Sequence, residues 1–240
     1  MARFFIDSDF KTGLFELPDQ VAHHVRVFRM RINDRLILFN NAEEEAAATI
    51  ETLGKKTIVN VHEINTISRE SPVRIRLIQA LASMEKMDTI VQKSVELGVF
   101  EIQPVITTRS SRLDAKRAEK KQQHWQKVAI SACEQSGRTK IPVILPVCTL
   151  EDALQSSQTV SHKYLLNPES APLLSKRSIE KAINGLICLM IGAEGGFDDP
   201  EIRQMESAGF LSVSLGPRVL RTETAGPAAI TICQVSVGDL

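Results

Sequence analysis

A chain of 240 residues, 43% of them hydrophobic, can bury a sizeable core in one large or two smaller domains, which argues against a disordered chain. Its 29 basic and 29 acidic residues cancel, so no global field draws it to nucleic acid and any RNA surface must be built from locally clustered cations. Cys133, Cys148, Cys188 and Cys233 lie far apart with no Cys-x-x-Cys pair, which argues against zinc and reads as reduced core thiols. The longest apolar stretch, 186–191, falls far short of the roughly 20 residues a bilayer needs. No metal, no membrane and a cytoplasmic location are the expectations.

Residues 1–71 read as short strands joined by turns, at 3–6, 35–39, 46–51 and 57–64. Few helical patterns compete, so a small barrel-like β domain is expected. One segment, 21–30, has helical character and carries His23, His24, Arg26 and Arg29, with Arg31 and Arg35 close behind. Two readings stand for these cations: a phosphate-contacting patch, or a solvated face balanced by Asp34 and the glutamates at 43–45.

The pattern changes after Ser71-Pro72, taken as the boundary of a second domain, 72–240. Here apolar strands alternate with helical periodicity, which predicts a mainly parallel sheet flanked by helices and an α/β class. A strand at 73–80 precedes a helix at 85–97, whose Met87, Ile90, Val91 and Val95 share a face and which Gly98 stops. Another strand, 99–106, runs into Thr107-Thr108-Arg109-Ser110-Ser111-Arg112, hydroxyls and arginines at a strand's carboxyl end where such sheets carry their sites. A long helix at 114–134 ends in Glu134-Gln135-Ser136-Gly137-Arg138, before Pro142. Thr149 and Asp152 suggest a capping box ahead of a short helix, and 163–166 is a further strand.

The wholly apolar strand 186–191 leads into Gly192-Ala193-Glu194-Gly195-Gly196-Phe197-Asp198-Asp199-Pro200, with Asp199 predicted as the N-cap of a helix to Ala208. Three glycines in five residues allow close backbone approach to a ligand. Their spacing fits neither the Walker nor the dinucleotide pattern, so a ligand read by backbone groups fits better than a nucleoside triphosphate or NAD. About two dozen residues on, Leu215-Gly216-Pro217-Arg218-Val219-Leu220-Arg221-Thr222-Glu223-Thr224-Ala225 turns through Gly-Pro, sets two arginines three residues apart and offers Thr222 as an N-cap. The two turns are expected to form one site.

Together these two stretches resemble the paired C-terminal motifs of the ribosomal RNA small subunit methyltransferase E family, uracil-N3 methyltransferases of the SPOUT superfamily. The similarity extends to 93–99, 108–110, 134–138 and the arginine-bearing segment at 24–29, and so covers nearly the whole chain. The resemblance implies a PUA-like β-barrel followed by an α/β domain whose last segment threads a loop into a trefoil knot. It further implies bound S-adenosylmethionine, a homodimer, and as substrate one uridine of 16S ribosomal RNA in the small subunit. By position, the cofactor-binding residues would be Leu166 with the loop after it, Gly192, Glu194, Gly196, Leu215, Gly216, Leu220, Arg221 and Thr222. RNA contacts would fall on Arg26, Arg29, Lys93, Arg109, Arg112 and Arg138.

Three places depart from the family pattern. Ala193 stands where proline is usual. Asn33-Asp34 and Asn40-Asn41 replace glycine-bearing turns, and asparagine tolerates positive φ. Gly226-Pro227 falls where a helix should continue, so proline is expected either to delay that helix or to kink it. For the chemistry, uracil N3 must lose a proton before it can take a methyl group. Arg221 or Arg218 is expected to stabilise the resulting anion, and Glu194 or Glu223 to accept the proton. The rival reading makes both glutamates caps or ion-pair partners. The rival functions are ribose 2′-O methylation by a related knotted enzyme and a non-catalytic ribosome-binding module.

Overall fold

The computed structural model describes residues 1–111, 113–168, 172–176 and 185–240. The chain forms two compact units. Unit 1 comprises Met1–Glu70 and Cys133–Ile141; unit 2 comprises Ser71–Ala132 and Pro142–Leu240.

Unit 1 is built on β1 (Ala2–Phe5), β2 (Gly13–Glu16), α1 (Asp19–Val27), β3 (Arg35–Phe39), β4 (Glu44–Leu53) and β5 (Thr57–Thr66). The five strands form one sheet in the order β1-β3-β4-β5-β2, antiparallel except for the parallel pair β1 and β3. Alternation drives it: Thr57, Val59 and Val61 of β5 face inward while their neighbours are more exposed. Val21, Ala22 and Val25 of α1 close over the same core with Leu36, Leu38 and Ile50. The turn after β3 differs from the expectation. Asn33 does take positive φ (72°), but in the Asn40-Asn41 turn that conformation falls on Glu43 (62°), while the Asn40 carboxamide oxygen accepts from the Ala42 and Glu44 N–H groups.

Within unit 1, Glu45 receives the guanidinium groups of both Arg3 and Arg69, and Arg138 closes on Glu70. Arg3 also donates to the Gly137 and Arg138 carbonyls. These bonds tie the segment Cys133–Ile141 into unit 1, although sequence pattern placed it in a continuous second domain. The Phe5 N–H on Glu134, the Thr139 hydroxyl on the Ile67 carbonyl and the Ile141 N–H on Asn41 add to them, and no local periodicity encodes such long-range bonds.

Unit 2 carries β6 (Arg74–Ala80), α2 (Met84–Glu96), β7 (Glu101–Ile106), α3 (Ala115–Ser136, its last turn in unit 1), β8 (Val143–Ile144) and β9 (Cys148–Thr149). There follow α4 (Leu150–Ser156), β10 (His162–Leu166), a 3-10 turn (Leu174–Lys176), β11 (Leu186–Ile191), α5 (Asp199–Ser207), β12 (Leu211–Val213) and α6 (Thr222–Val237). The sheet runs β12-β10-β11-β6-β7-β8, with β9 also beside β7, and every pair is parallel. A parallel sheet is covered on both faces, and β11 is accordingly buried along almost its whole length. The class is mixed α/β with a mostly parallel sheet.

Two helix starts differ by a residue from the expectation. The N-cap of α5 is Asp198, which exchanges bonds with Glu201 in a capping box, while Pro200 sits in the first turn. The N-cap of α6 is Arg221; Thr222 is already helical, and its hydroxyl is engaged elsewhere. Pro227 does not delay α6: the helix begins at Thr222 and runs through to Val237 with Pro227 inside it. Pro227 has no N–H to donate to the Glu223 carbonyl, so α6 runs without that one bond. Beside it, Gly226 is buried, and an added Cβ would meet Leu77 of β6 at 3.5 Å, so α6 lies close over the sheet.

Candidate functional site

The carboxyl ends of β10, β11 and β12 lie side by side, and the loops leaving them enclose a cavity of about 520 Å³. Leu166 and Asn167 enter from β10, the glycine-rich turn 192–196 from β11, and 213–222 from β12 and the start of α6. Main-chain bonds tie these loops together: Asn167 N–H donates to the Val213 carbonyl, Leu174 N–H to Ser214, and Ser214 N–H to Pro172.

The turn after β11 gets its shape from its glycines. Gly196 has φ of +66°, and its N–H closes on the Ala193 carbonyl at 3.0 Å. A Cβ at Gly192 would approach the Gly196 Cα to 3.0 Å, so the two glycines fold the loop against itself. By contrast, a Cβ at Gly196 or Gly216 would stand in open space, and both residues line the cavity. The turn is held from below by a buried polar cluster. Thr222 donates its hydroxyl to the Gly192 carbonyl at 2.6 Å, and Gln79 at the end of β6 donates to Thr222 Oγ1 at 3.0 Å and to Gly192 O at 3.3 Å. Arg109 reaches over from the loop after β7 to donate to the Gly195 carbonyl at 2.9 Å. In the same loop Thr108 N–H donates to Glu201, which docks it on the start of α5.

The charged groups are graded by depth. Arg218 and Arg221 line the cavity and are exposed, the Arg221 side chain at 82%. Glu194 also lines it; its carboxylate accepts from the Ser83 N–H at 3.1 Å and pairs with the Lys86 ammonium at 3.2 Å. Burial pushes the Glu194 carboxyl up, but bonds from its own and the Ser83 N–H groups and from Lys86 outweigh it and hold the carboxyl below its ordinary range. Glu223 does not contribute to the wall. It lies behind Lys86, with Oε2 buried and 3.8 Å from the ammonium, and Oε1 3.9 Å from Arg221.

Sequence comparison decides the family. An RNA methyltransferase domain model matches residues 69–234, and an RNA methyltransferase PUA domain model matches residues 17–60. A Buchnera aphidicola (subsp. Acyrthosiphon pisum) protein named Ribosomal RNA small subunit methyltransferase E is 36% identical over 99% of this chain and 94% of its own length. The chain belongs to the ribosomal RNA small subunit methyltransferase E family. Among solved structures, the Neisseria gonorrhoeae family member bound to S-adenosyl methionine superposes with a TM-score of 0.90 at 38% identity, covering 100% of this chain and 99% of that one. A Legionella pneumophila protein in complex with the cofactor SAM superposes with a TM-score of 0.94 at 37% identity, with the same coverage.

Each residue expected from this family resemblance to hold the methyl donor lines the one cavity: Leu166, Gly192, Glu194, Gly196, Leu215, Gly216, Leu220, Arg221 and Thr222. The residues expected to meet RNA are scattered. Arg26 and Arg29 are exposed on α1 and just beyond it in unit 1, Arg29 with φ of 53°. In unit 2, Lys93 pairs with Glu96 on α2, and Arg109 lies on the glycine turn. Arg138 is 6% exposed and its guanidinium is engaged by Glu70, so its place is inside unit 1 rather than at an RNA surface. Arg112 lies outside the described residues. Sequence reasoning missed Lys86 and Gln79. A glutamine at the end of an apolar strand was a readable signal for a buried polar role, whereas Lys86 reaches the site only through tertiary packing. No cluster of metal-ligating side chains occurs among the described residues, and none of their helices is long and apolar enough to cross a membrane.

Proposed function

We propose that the protein transfers a methyl group from S-adenosylmethionine to N3 of a uridine in 16S ribosomal RNA of the small subunit. The observation that carries this reading is the meeting of both C-terminal turns on one cavity lined by backbone and by charged side chains. The likeness to family members solved with S-adenosylmethionine supports it. Gly196 and Gly216 leave room for a ligand against bare backbone, as an adenosine and a methionine moiety require. When bound, that donor supplies a methyl on a sulfonium, which a nucleophile with a free lone pair displaces in line.

The chain's own part is to prepare that nucleophile. Glu194, a carboxylate of the wall on the glycine turn itself, accepts the N3 proton, and Arg221 with Arg218 stabilises the negative charge left on the uracil ring. Gln79 and Thr222 keep the glycine turn in place while this happens. Arg26 and Arg29 of unit 1, and Arg109 of unit 2, contact RNA phosphates. In this reading unit 1 is a PUA-like barrel, the last segment of unit 2 threads a trefoil knot, and two copies form a cytoplasmic homodimer that holds RNA between them.

Titration calorimetry with S-adenosylmethionine, followed by turnover of Arg221→Ala, tests the assignment. Turnover of the variant is expected to fall about 100-fold, the usual cost of removing one charge-stabilising donor, and by more than its donor affinity falls. Full turnover by Arg221→Ala with unchanged donor affinity would overturn the role given to Arg221.

A further inference from the structure

Lys86 stands at the third position of α2, three residues after the N-cap Ser83, and projects into the wall of the cavity. Its ammonium lies 3.2 Å from Glu194 on the glycine turn and 3.8 Å from Glu223 on the first turn of α6. Three separate elements, α2, the turn after β11 and α6, therefore converge on one cation. The Lys86 side chain is 29% exposed and that of Glu223 20%, against 41% for Glu194, so the triad runs from a sheltered carboxylate outward to the one that meets the cavity.

Building on the function proposed above, we propose that Lys86 is a positioning residue for methyl transfer. It holds the Glu194 carboxylate, in one orientation and ionised, where the base must surrender its proton, and Glu223 anchors it from behind. The Ser83 N–H and the Lys86 ammonium both fall on Glu194 Oε1, so that oxygen is tethered from two sides. The Glu223 oxygen that faces Lys86 is buried and has no hydrogen-bond partner among the described residues, so the ammonium at 3.8 Å, with Arg221 at 3.9 Å from the other oxygen, offsets its charge. Lysine supplies that cation as a compact charge with three donors on a flexible stem.

The charged groups facing Glu194 are Lys86 from α2, Glu223 from α6 through Lys86, Arg218 and Arg221 from the loop before α6, Arg109 on the neighbouring Gly195 carbonyl, and Asp199, which lines the same cavity. Removing Lys86 deletes the nearest positive charge and leaves burial, the largest influence on Glu194, less opposed. The acid limb of the rate profile should then move toward neutral pH.

The test compares the wild type with Lys86→Met and Lys86→Arg, measuring kcat, KM for S-adenosylmethionine, KM for unmodified small subunits, the pH profile of kcat, and thermal unfolding. Lys86→Met is expected to lose about 10- to 100-fold in kcat, the usual cost of misplacing a reacting group. Its KM for the donor should change less than its kcat, and its acid limb should shift to higher pH. Lys86→Arg, which keeps the charge, should restore the limb. If the wild type binds and uses the donor while Lys86→Met keeps its kcat and its acid limb, the inference is wrong. An acid limb left in place together with an equal loss in Lys86→Met and Lys86→Arg would also overturn it, because charge would then be irrelevant. If the wild type itself neither binds nor uses the donor, the proposed function fails instead.

Discussion

Replacing Thr222 with valine tests whether the glycine turn is shaped from below. Valine preserves the volume and branching of threonine, and it removes one donor, 2.6 Å from the Gly192 carbonyl, and one acceptor, 3.0 Å from Gln79 Nε2. Two buried hydrogen bonds disappear, each worth about 1 kcal/mol net, so the turn should lose about 2 kcal/mol of support. The cost is not larger because neither former partner is orphaned. Gln79 Nε2 still reaches the Ala80 carbonyl at 3.0 Å, and Gly192 O still accepts from Gln79 at 3.3 Å. If all of that support bears on the binding-competent conformation, S-adenosylmethionine affinity drops about 30-fold, at about 1.4 kcal/mol per factor of ten. Calorimetry on wild type, Thr222→Val and Thr222→Ser gives the answer, with urea unfolding alongside. Thr222→Ser, which keeps the hydroxyl, should bind close to wild type. Unchanged affinity and an unchanged urea midpoint in Thr222→Val would refute the reasoning.

Gly192→Ala should destabilise the ligand-free protein more than Gly196→Ala, because the first drives a Cβ to 3.0 Å from backbone while the second meets open space and bears the cost of a +66° φ, about 1 kcal/mol, yet Gly196→Ala should also lower donor affinity because its Cβ stands in the cavity; urea unfolding and parallel titrations compare them. Glu45→Gln should destabilise unit 1 by about 3 kcal/mol at neutral pH, since it leaves Arg3 and Arg69 without their common carboxylate. Burial pushes the Glu45 carboxyl up, but the two arginines outweigh it and hold it low. Its contribution is therefore present above the ordinary value of 4.5 and lost as the pH falls further, and the gap between wild type and variant in unfolding experiments should close on acidification. Burial raises Cys133 and Cys233 to about 12 and Cys148 to about 11, so thiol-specific alkylation at pH 8 should be slow until the protein is unfolded. Arg26→Glu combined with Arg29→Glu should weaken RNA binding and flatten its salt dependence, by roughly 0.7 to 0.9 in slope for each phosphate no longer neutralised.

Much of the fold was legible where a local pattern is strong. The apolar run of β11 coincides with the strand, and the shared face of Met87, Ile90, Val91 and Val95 is buried in α2 as its spacing requires. Strand β2 escaped notice because Gly13–Glu16 is short and only partly buried, so its pairing with β5 rather than its own composition defines it. At the start of α5 two adjacent aspartates offered a choice, and the deciding partner, Glu201, stands three residues after Asp198 and not after Asp199. The candidate site was legible as two glycine-bearing turns, because backbone freedom and charge are local properties of the sequence. What lies beneath them was not: Gln79 is distant in the chain from Thr222, and Lys86 is distant from both of its carboxylates. Arg138 shows the opposite failure. Its place in an arginine-bearing motif suggested an RNA contact, whereas its guanidinium pairs with the sheltered carboxylate of Glu70.

The most direct test of the central claim is to incubate the protein with labelled S-adenosylmethionine and unmodified small subunits or naked 16S RNA, then digest the RNA to nucleosides for mass spectrometry. The expected product is a single 3-methyluridine, whose label maps to one position and falls sharply with Arg221→Ala and Lys86→Met. Label on a ribose 2′-oxygen, or no transfer by a protein that binds RNA, would contradict the account.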